Sequence, residues 1–172
     1  MSELPLWLER KFKFDFPAAL YPNLRVRLRS TPARLEEAVA GLASEVLLRQ
    51  PAGKWSIQEN AGHLLDLESL WRMRVEEFLR GVEKLTAADI TNRATQEARH
   101  NDRQLAEILR LFRAARLELV ESLEDLTAAV FARVALHPRL NLSMRLVDHL
   151  FFIAEHDDHH LARIRELRRT HS

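Results

Sequence analysis

Ala154-Glu155-His156-Asp157-Asp158-His159-His160-Leu161 lies in a longer run, from about Asn141 to Arg168, in which Leu142, Leu146, Ile153, Ile164 and Leu167 recur at helical spacing. Successive residues of a helix rotate by about 100°, which places His149, His156 and His160 within about 40° of one another and inside the arc of the apolar side chains. Three imidazoles therefore face the core. Burying such a ring without a partner costs roughly 1 to 3 kcal/mol, so this face demands hydrogen bonds, water or a metal ion.

His156 and His160 stand i and i+4, the separation that stacks two side chains one turn apart and lets both reach a single ion at about 2.0 to 2.1 Å. The chain has eight histidines, and scattering them at random would give about 0.4 such pairs, so the pair alone decides little. A third ligand has to come from another helix. His63 is the candidate, because it lies about 60° from the centre of the stripe formed by Leu64, Leu67, Trp71, Val75 and Phe78 and still faces inward. At about 1.5 Å per residue, His63 sits roughly 10 Å from the start of its helix, and His156 and His160 roughly 12 to 18 Å from the end of theirs. Antiparallel packing of these two helices would bring the three rings to one level.

The remaining pattern also reads as helix. Residues 1–30 mix aromatics with prolines (Phe12, Phe14, Phe16-Pro17, Tyr21-Pro22) and read as a short lead-in helix plus an irregular segment packed on a bundle. Thr31 as cap and Pro32 in the first turn open a helix through Leu35, Val39, Leu42 and Val46 to about Arg49, stopped by Pro51-Ala52-Gly53. Ser56-Ile57-Gln58-Glu59 has the pattern of a capping box, and its helix is expected to run to about Gly81. A polar stretch with Thr86, Asp89 and Asn92 leads to a third helix, about Asp102 to Leu123, and Thr127 can cap a short helix before His137-Pro138 turns the chain. No repeat and no strand-like alternation appears. The expectation is an all-α fold, four long amphipathic helices with short extra helical segments, forming one domain over residues 1–172.

Composition supports that reading and excludes several functions. The 172 residues are 47% hydrophobic and 30% charged with only 4 glycines, and a chain of this size buries roughly 70% of its unfolded surface. The 26 Lys and Arg nearly cancel the 25 Asp and Glu, so there is no broad positive field for nucleic acid. The basic cluster from Arg163 to Arg169 sits where cations complement a helix dipole. There is no cysteine, which excludes disulfides, thiolate ligands and a thiol nucleophile. Met1-Ser2-Glu3-Leu4-Pro5 lacks the pattern of a signal peptide, and no segment approaches 18 consecutive apolar residues, so the expected compartment is the cytoplasm, with no membrane partner.

Lys54-Trp55-Ser56-Ile57-Gln58-Glu59, followed by His63, Leu64, Asp66 and Glu68, together with Ala154 to Leu161, closely resembles the DinB/YfiT-like metalloprotein superfamily. The resemblance spans nearly the whole chain, including the approach from Phe14 to Thr31 with Arg27, Pro32 and Leu35. It implies a four-helix bundle of up-down-down-up order, a divalent metal held by His63, His156 and His160, and a homodimer. It also implies an enzyme, since characterised relatives include transferases that use low-molecular-weight thiols and a thiol-dependent isomerase.

Other candidates take lesser places. His149 lies about 10 Å beyond His156 along the helix and reads as a pocket or core residue. His159 reads as a rim residue within possible reach of substrate. His100, His137 and His171 read as surface residues, and Trp55 as packing over the bundle end. Asp66, Glu59, Glu155 and Asp157 read first as solvated helix charges, with orientation of a ligand ring as the alternative; Asp66, Glu155 and His159 are the candidate catalytic groups.

Three neutral ligands leave a divalent ion its charge and an open position, the arrangement of a catalytic site. Such an ion lowers the pKa of a bound thiol or water and polarises a carbonyl. The leading expectation is a metal-dependent transferase acting on a small-molecule substrate with a thiol cofactor such as bacillithiol. A metal-dependent hydrolase is the alternative, and from another class a noncatalytic bundle whose metal only ties helices together. Imidazole ligands suit zinc or nickel first, with iron or manganese next.

Overall fold

The computed structural model describes residues 4–51 and 53–169. Met1, Ser2, Glu3, Ala52 and His171 lie outside the described residues. Single turns at Trp7–Glu9 and Ala18–Leu20 precede α1 (Tyr21–Val39) and the short α2 (Ser44–Leu48). A second rod is made of α3 (Ile57–Asp66) and α4 (Glu68–Arg80), followed by α5 (Arg93–Glu97), a turn at His100–Asp102, and α6 (Leu105–Glu121). Then come α7 (Ala128–Phe131), strands β1 (Val134–His137) and β2 (Leu142–Arg145), and α8 (Leu146–Arg169). The chain is thus mostly helical, and no described helix is long and apolar enough to cross a membrane.

The elements depart from expectation at three places. α1 begins at Tyr21 instead of Thr31, with Pro22 in its first turn and Pro32 inside the helix. A proline there has no N–H for the carbonyl four residues back. The Leu28 carbonyl instead faces Nη1 of the buried Arg116 at 3.4 Å, so the helix carries through. It stops at Val39, short of Arg49, where Gly41 adopts a left-handed φ of 69°. The second rod is interrupted at Leu67 and ends at Gly81, also left-handed, as a helix C-terminus favours.

The third departure is the antiparallel hairpin, in which Ala135 pairs with Met144 and His137 with Leu142. Strands of four residues are too short for alternation to stand out, and of these residues only Ala135, His137 and Met144 are buried. Consequently α8 begins at Leu146 rather than near Asn141, which instead takes a left-handed φ of 51° at the hairpin turn.

Contacts between rods follow an orderly progression. Arg27 bonds Glu155, Arg34 bonds Asp158 and Arg168 reaches the Ala38 carbonyl, ascending together along α1 and α8. Along α1 and α6 the order reverses, from Arg25 with Glu124 to Glu36 with Arg113. The second rod ascends with the third through Gln58 and Arg103, Glu68 and Arg116, Arg72 and Glu118. It descends against α8, from Asn60 with His160 to Trp71 with His149.

The apolar interior forms two clusters, one containing Leu28, Trp71, Phe78, Leu119 and Ile153, the other Leu35, Leu64, Ile108, Phe112 and Ile164. Arg116, fully buried on α6, meets the other three rods. It bonds Glu68 at 2.5 Å and both oxygens of Asp157, faces the Leu28 carbonyl, and lies over the Phe112 ring. Thr31 completes the set by donating to Asp157 at 2.9 Å. Asp157 is therefore no solvated charge: it is 0% exposed. Burial disfavours the Arg116 charge, but Asp157 and Glu68 outweigh it and hold the guanidinium protonated.

Removing one member of such a network leaves buried charge without a partner. Arg116→Met is expected to destabilise the protein by about 3 to 5 kcal/mol in urea unfolding, and the triple variant Arg116→Met with Glu68→Gln and Asp157→Asn to recover much of the loss. Equal stability of Arg116→Met and wild type would show that the network does not organise the bundle.

Candidate metal centre

His63 reaches the interior from α3, which begins as the sequence indicates. Ser56 accepts from the Glu59 amide while the Glu59 carboxylate accepts from the Ser56 amide, a complete capping box. His156 and His160 come from α8 one turn apart. The three rings meet: one nitrogen of each lies within 4.8 Å of the others, and all three residues are buried. Ring centroids are 4.5 Å apart for His156 and His160, 4.8 Å for His63 and His160, and 5.3 Å for His63 and His156.

Two of the rings are oriented from behind. The Asn60 amide donates to the Ser56 carbonyl at 2.7 Å, which turns its oxygen toward Nδ1 of His160 at 2.9 Å. His160 must then carry its proton on Nδ1, leaving Nε2 with a free lone pair. His63 Nδ1 lies 2.9 Å from Thr95 Oγ1. Thr95 comes from α5, and the segment after it is pressed against α3 at Gly62, where a Cβ would stand 2.2 Å from the His100 ring. Only glycine admits that approach. Nδ1 of His156 is buried with no hydrogen-bond partner among the described residues.

Electrostatically the rings are kept neutral. Burial pulls His63 down to about 4, partly opposed by Asp66. Burial and then the neighbouring histidines push His156 and His160 well below the ordinary 6.5. Metal ligation requires neutral imidazole. Three neutral buried rings converging on one point, one with an orphaned nitrogen, fit a divalent ion.

The triad opens onto a pocket of about 190 Å³ lined in part by Trp7, Trp55, Trp71, Arg74, His137 and Arg139. All 3 tryptophans of the chain stand there. Trp7 lies 5.0 Å from His156, Trp55 4.7 Å from His63, and Trp71 5.7 Å from His156, between ring centroids. Trp55 therefore lines the pocket and does not merely pack over the bundle end.

The weaker candidates fall elsewhere. Asp66 bonds His100 Nε2 at 2.8 Å. Glu155 is taken by Arg10 and Arg27, both at 2.7 Å. His159 is half-buried at the rim against Trp7, as expected, and is lowered to about 4 by burial and then by Arg163 and Arg10. Glu59 serves the capping box. His149 is a core residue, fully buried against Trp71 and Phe78. His100 and His137 are not surface residues: they are 1% and 2% exposed. Both sit outside the long helices, where periodicity gives no facing. Sequence reasoning also missed Trp7, Asn60, Thr95, Arg74 and Arg139. Only Asn60 carried a signal, being one turn before His63 on the same helix.

Fold and site together define a helical bundle with a buried histidine triad open to a small pocket. The chain belongs to the DinB superfamily, whose sequence profile matches residues 27–164. Among solved structures it is similar to YfiT from Bacillus subtilis, with a TM-score of 0.81 and 22% identity over 94% of this chain and 93% of that one. That protein is described as a probable metal-dependent hydrolase with an unusual four-helix bundle topology. No curated protein matches the chain.

Because the unfolded rings titrate near 6.5 and His63 near 4 when folded, the unfolded state binds more protons between these values. The metal-free protein should therefore lose stability as pH falls from 6.5 toward 4, each buried ring contributing about 1.4 kcal/mol per pH unit. His63→Gln is expected to flatten the slope of unfolding free energy against pH by about that amount. An unchanged slope would contradict neutral burial.

Proposed function

We propose that His63, His156 and His160 hold one divalent ion, zinc or nickel before iron or manganese, and that the chain is a metal-dependent thiol S-transferase using a low-molecular-weight thiol such as bacillithiol. The observation that carries this reading is the convergence of three neutral, buried rings on a pocket walled by tryptophan. A bound ion supplies Lewis acidity that lowers the pKa of a thiol placed on it. The residues behind the rings fix that site: Asn60 and Thr95 orient His160 and His63, and the three indoles restrict water. With no cysteine in the chain, the thiol arrives as a substrate.

Proton accounting favours thiol transfer over hydrolysis. Water activation calls for a base near the reacting atom, yet the nearby carboxylates are committed, which leaves only the rim residue His159 among the candidate groups. Asp66 bonds His100, Glu155 bonds Arg10 and Arg27, and Asp157 bonds Arg116. Asp89, on the pocket wall, accepts from Thr91 and from the Arg93 amide. A thiol ionises more readily and can lose its proton to solvent. Hydrolysis is the second reading because of the description given to YfiT. We also read the helix order as up-down-down-up, which the ascending and descending contact pairs support.

The test supplies metal-loaded protein with a small thiol and 1-chloro-2,4-dinitrobenzene. A carbon–sulfur bond forms, the carbon–chlorine bond breaks, chloride leaves with the electron pair and the thiol proton goes to solvent. Conjugate formation should fall at least about 100-fold on chelation and return with metal. His63→Ala, His156→Ala and His160→Ala should each lose both metal and activity. Near-stoichiometric metal in all three variants would overturn the ligand set, and thiol-independent hydrolysis of ester substrates without conjugation would favour the second reading.

A further inference from the structure

Outside the triad, the pocket wall carries hydrogen-bond donors that lack an acceptor among the described residues. In the tautomer in which His137 Nδ1 accepts from the Leu140 amide at 3.2 Å, the hydrogen of the neutral ring is on Nε2. That Nε2 faces Arg74 Nη1 at 3.3 Å. In that tautomer two N–H groups point at each other with no acceptor between them. Arg139 lies on the same wall; its Nη1 makes a long contact of 3.4 Å to the Leu8 carbonyl, and its Nη2 is buried without a partner among the described residues.

Arg74 and His137 are 1% and 2% exposed, so water does not freely solvate these donors. Nε of Arg74 and one hydrogen of its Nη2 are spent on the Thr86 carbonyl, which fixes the guanidinium plane. Glu77 partly offsets the cost of burying the Arg74 charge, but neither neighbouring acid gives these donors a hydrogen bond. Glu77 is held by Thr86 through its amide and hydroxyl, and Asp89 is turned into its own loop.

We propose that Arg74, His137 and Arg139 form an oxyanion subsite that binds a carboxylate carried by the small molecule whose other end reaches the histidine triad. An acceptor placed there relieves the opposed donors of Arg74 and His137 and occupies the free Nη2 of Arg139, in charge-assisted bonds that are the strong ones inside proteins. Burial beside Arg74 keeps the His137 ring neutral, lowering it to about 3, so its Nε2 remains a single directed donor. The subsite assigns a substrate class to the pocket: a compact molecule with a negative charge at one end. In linking that end to a thiol at the triad, the inference rests on the metal reading above.

The test uses the metal-loaded protein and the fluorescence of its tryptophans, all of which line the pocket. Three probes are titrated: 3-mercaptopropionate, 2-mercaptoethanol and propionate. Wild type is expected to bind 3-mercaptopropionate at least about tenfold more tightly than 2-mercaptoethanol, the value of one charge-assisted hydrogen bond. In Arg139→Gln that ratio should collapse toward one, and in Arg139→Lys it should be partly kept. Arg139, half-buried at the hairpin, is chosen over the fully buried Arg74 because its replacement leaves the core intact.

Propionate separates the two possible failures. If the triad binds no metal, the thiols lose their advantage over propionate, while propionate still binds wild type better than Arg139→Gln. If the subsite is wrong, wild type does not prefer the anionic thiol, or Arg139→Gln retains the preference and binds propionate as wild type does.

Discussion

One guanidinium ties the molecule together. Arg116 is fully buried and meets α1 at the Leu28 carbonyl, α4 at Glu68 and α8 at Asp157. A charge in that position is tolerable only when its donors are nearly all used, so the relative heights of the rods are constrained together. The same side chain explains Pro32, whose missing amide would otherwise strand the Leu28 carbonyl. Asp157 adjoins His156 in sequence, so the network that sets the bundle also sets the depth at which the His156 ring enters it.

From that frame the chemistry of the site follows. Rings carried by α3 and α8 meet in an interior that penalises their protonated forms, while Asn60 and Thr95 engage Nδ1 of His160 and His63. The absence of thiolate or carboxylate from the triad keeps any bound ion electrophilic. The tryptophans, drawn from the lead-in, the segment just before α3 and from α4, then wall the pocket onto which the triad opens. The lead-in is thus part of the site through Trp7, beyond covering the bundle.

How much of this the sequence disclosed depended on whether a residue lay in a periodic element. His63, His156 and His160 stood on long amphipathic helices, so angle and rise gave their facing and depth, and the antiparallel order implied by the family resemblance brought them to one level. Pro32 misled because its usual meaning, a helix start, was overridden by a side chain 84 positions away in the chain, Arg116. His100 and His137 misled for the opposite reason: they lie in a turn and a four-residue strand, where no period reports facing. Arg74 and Arg139 carried no signal in the sequence, since only the folded chain shows that both line the pocket.

The central claim is that three imidazoles bind one ion and leave a position open to the pocket. X-ray absorption at the metal edge of the loaded protein addresses it directly. The account predicts three imidazole nitrogens at about 2.0 to 2.1 Å and a further light-atom scatterer, replaced by sulfur at about 2.3 Å when a small thiol is added. A closed shell of four protein ligands that a thiol leaves unchanged would contradict it.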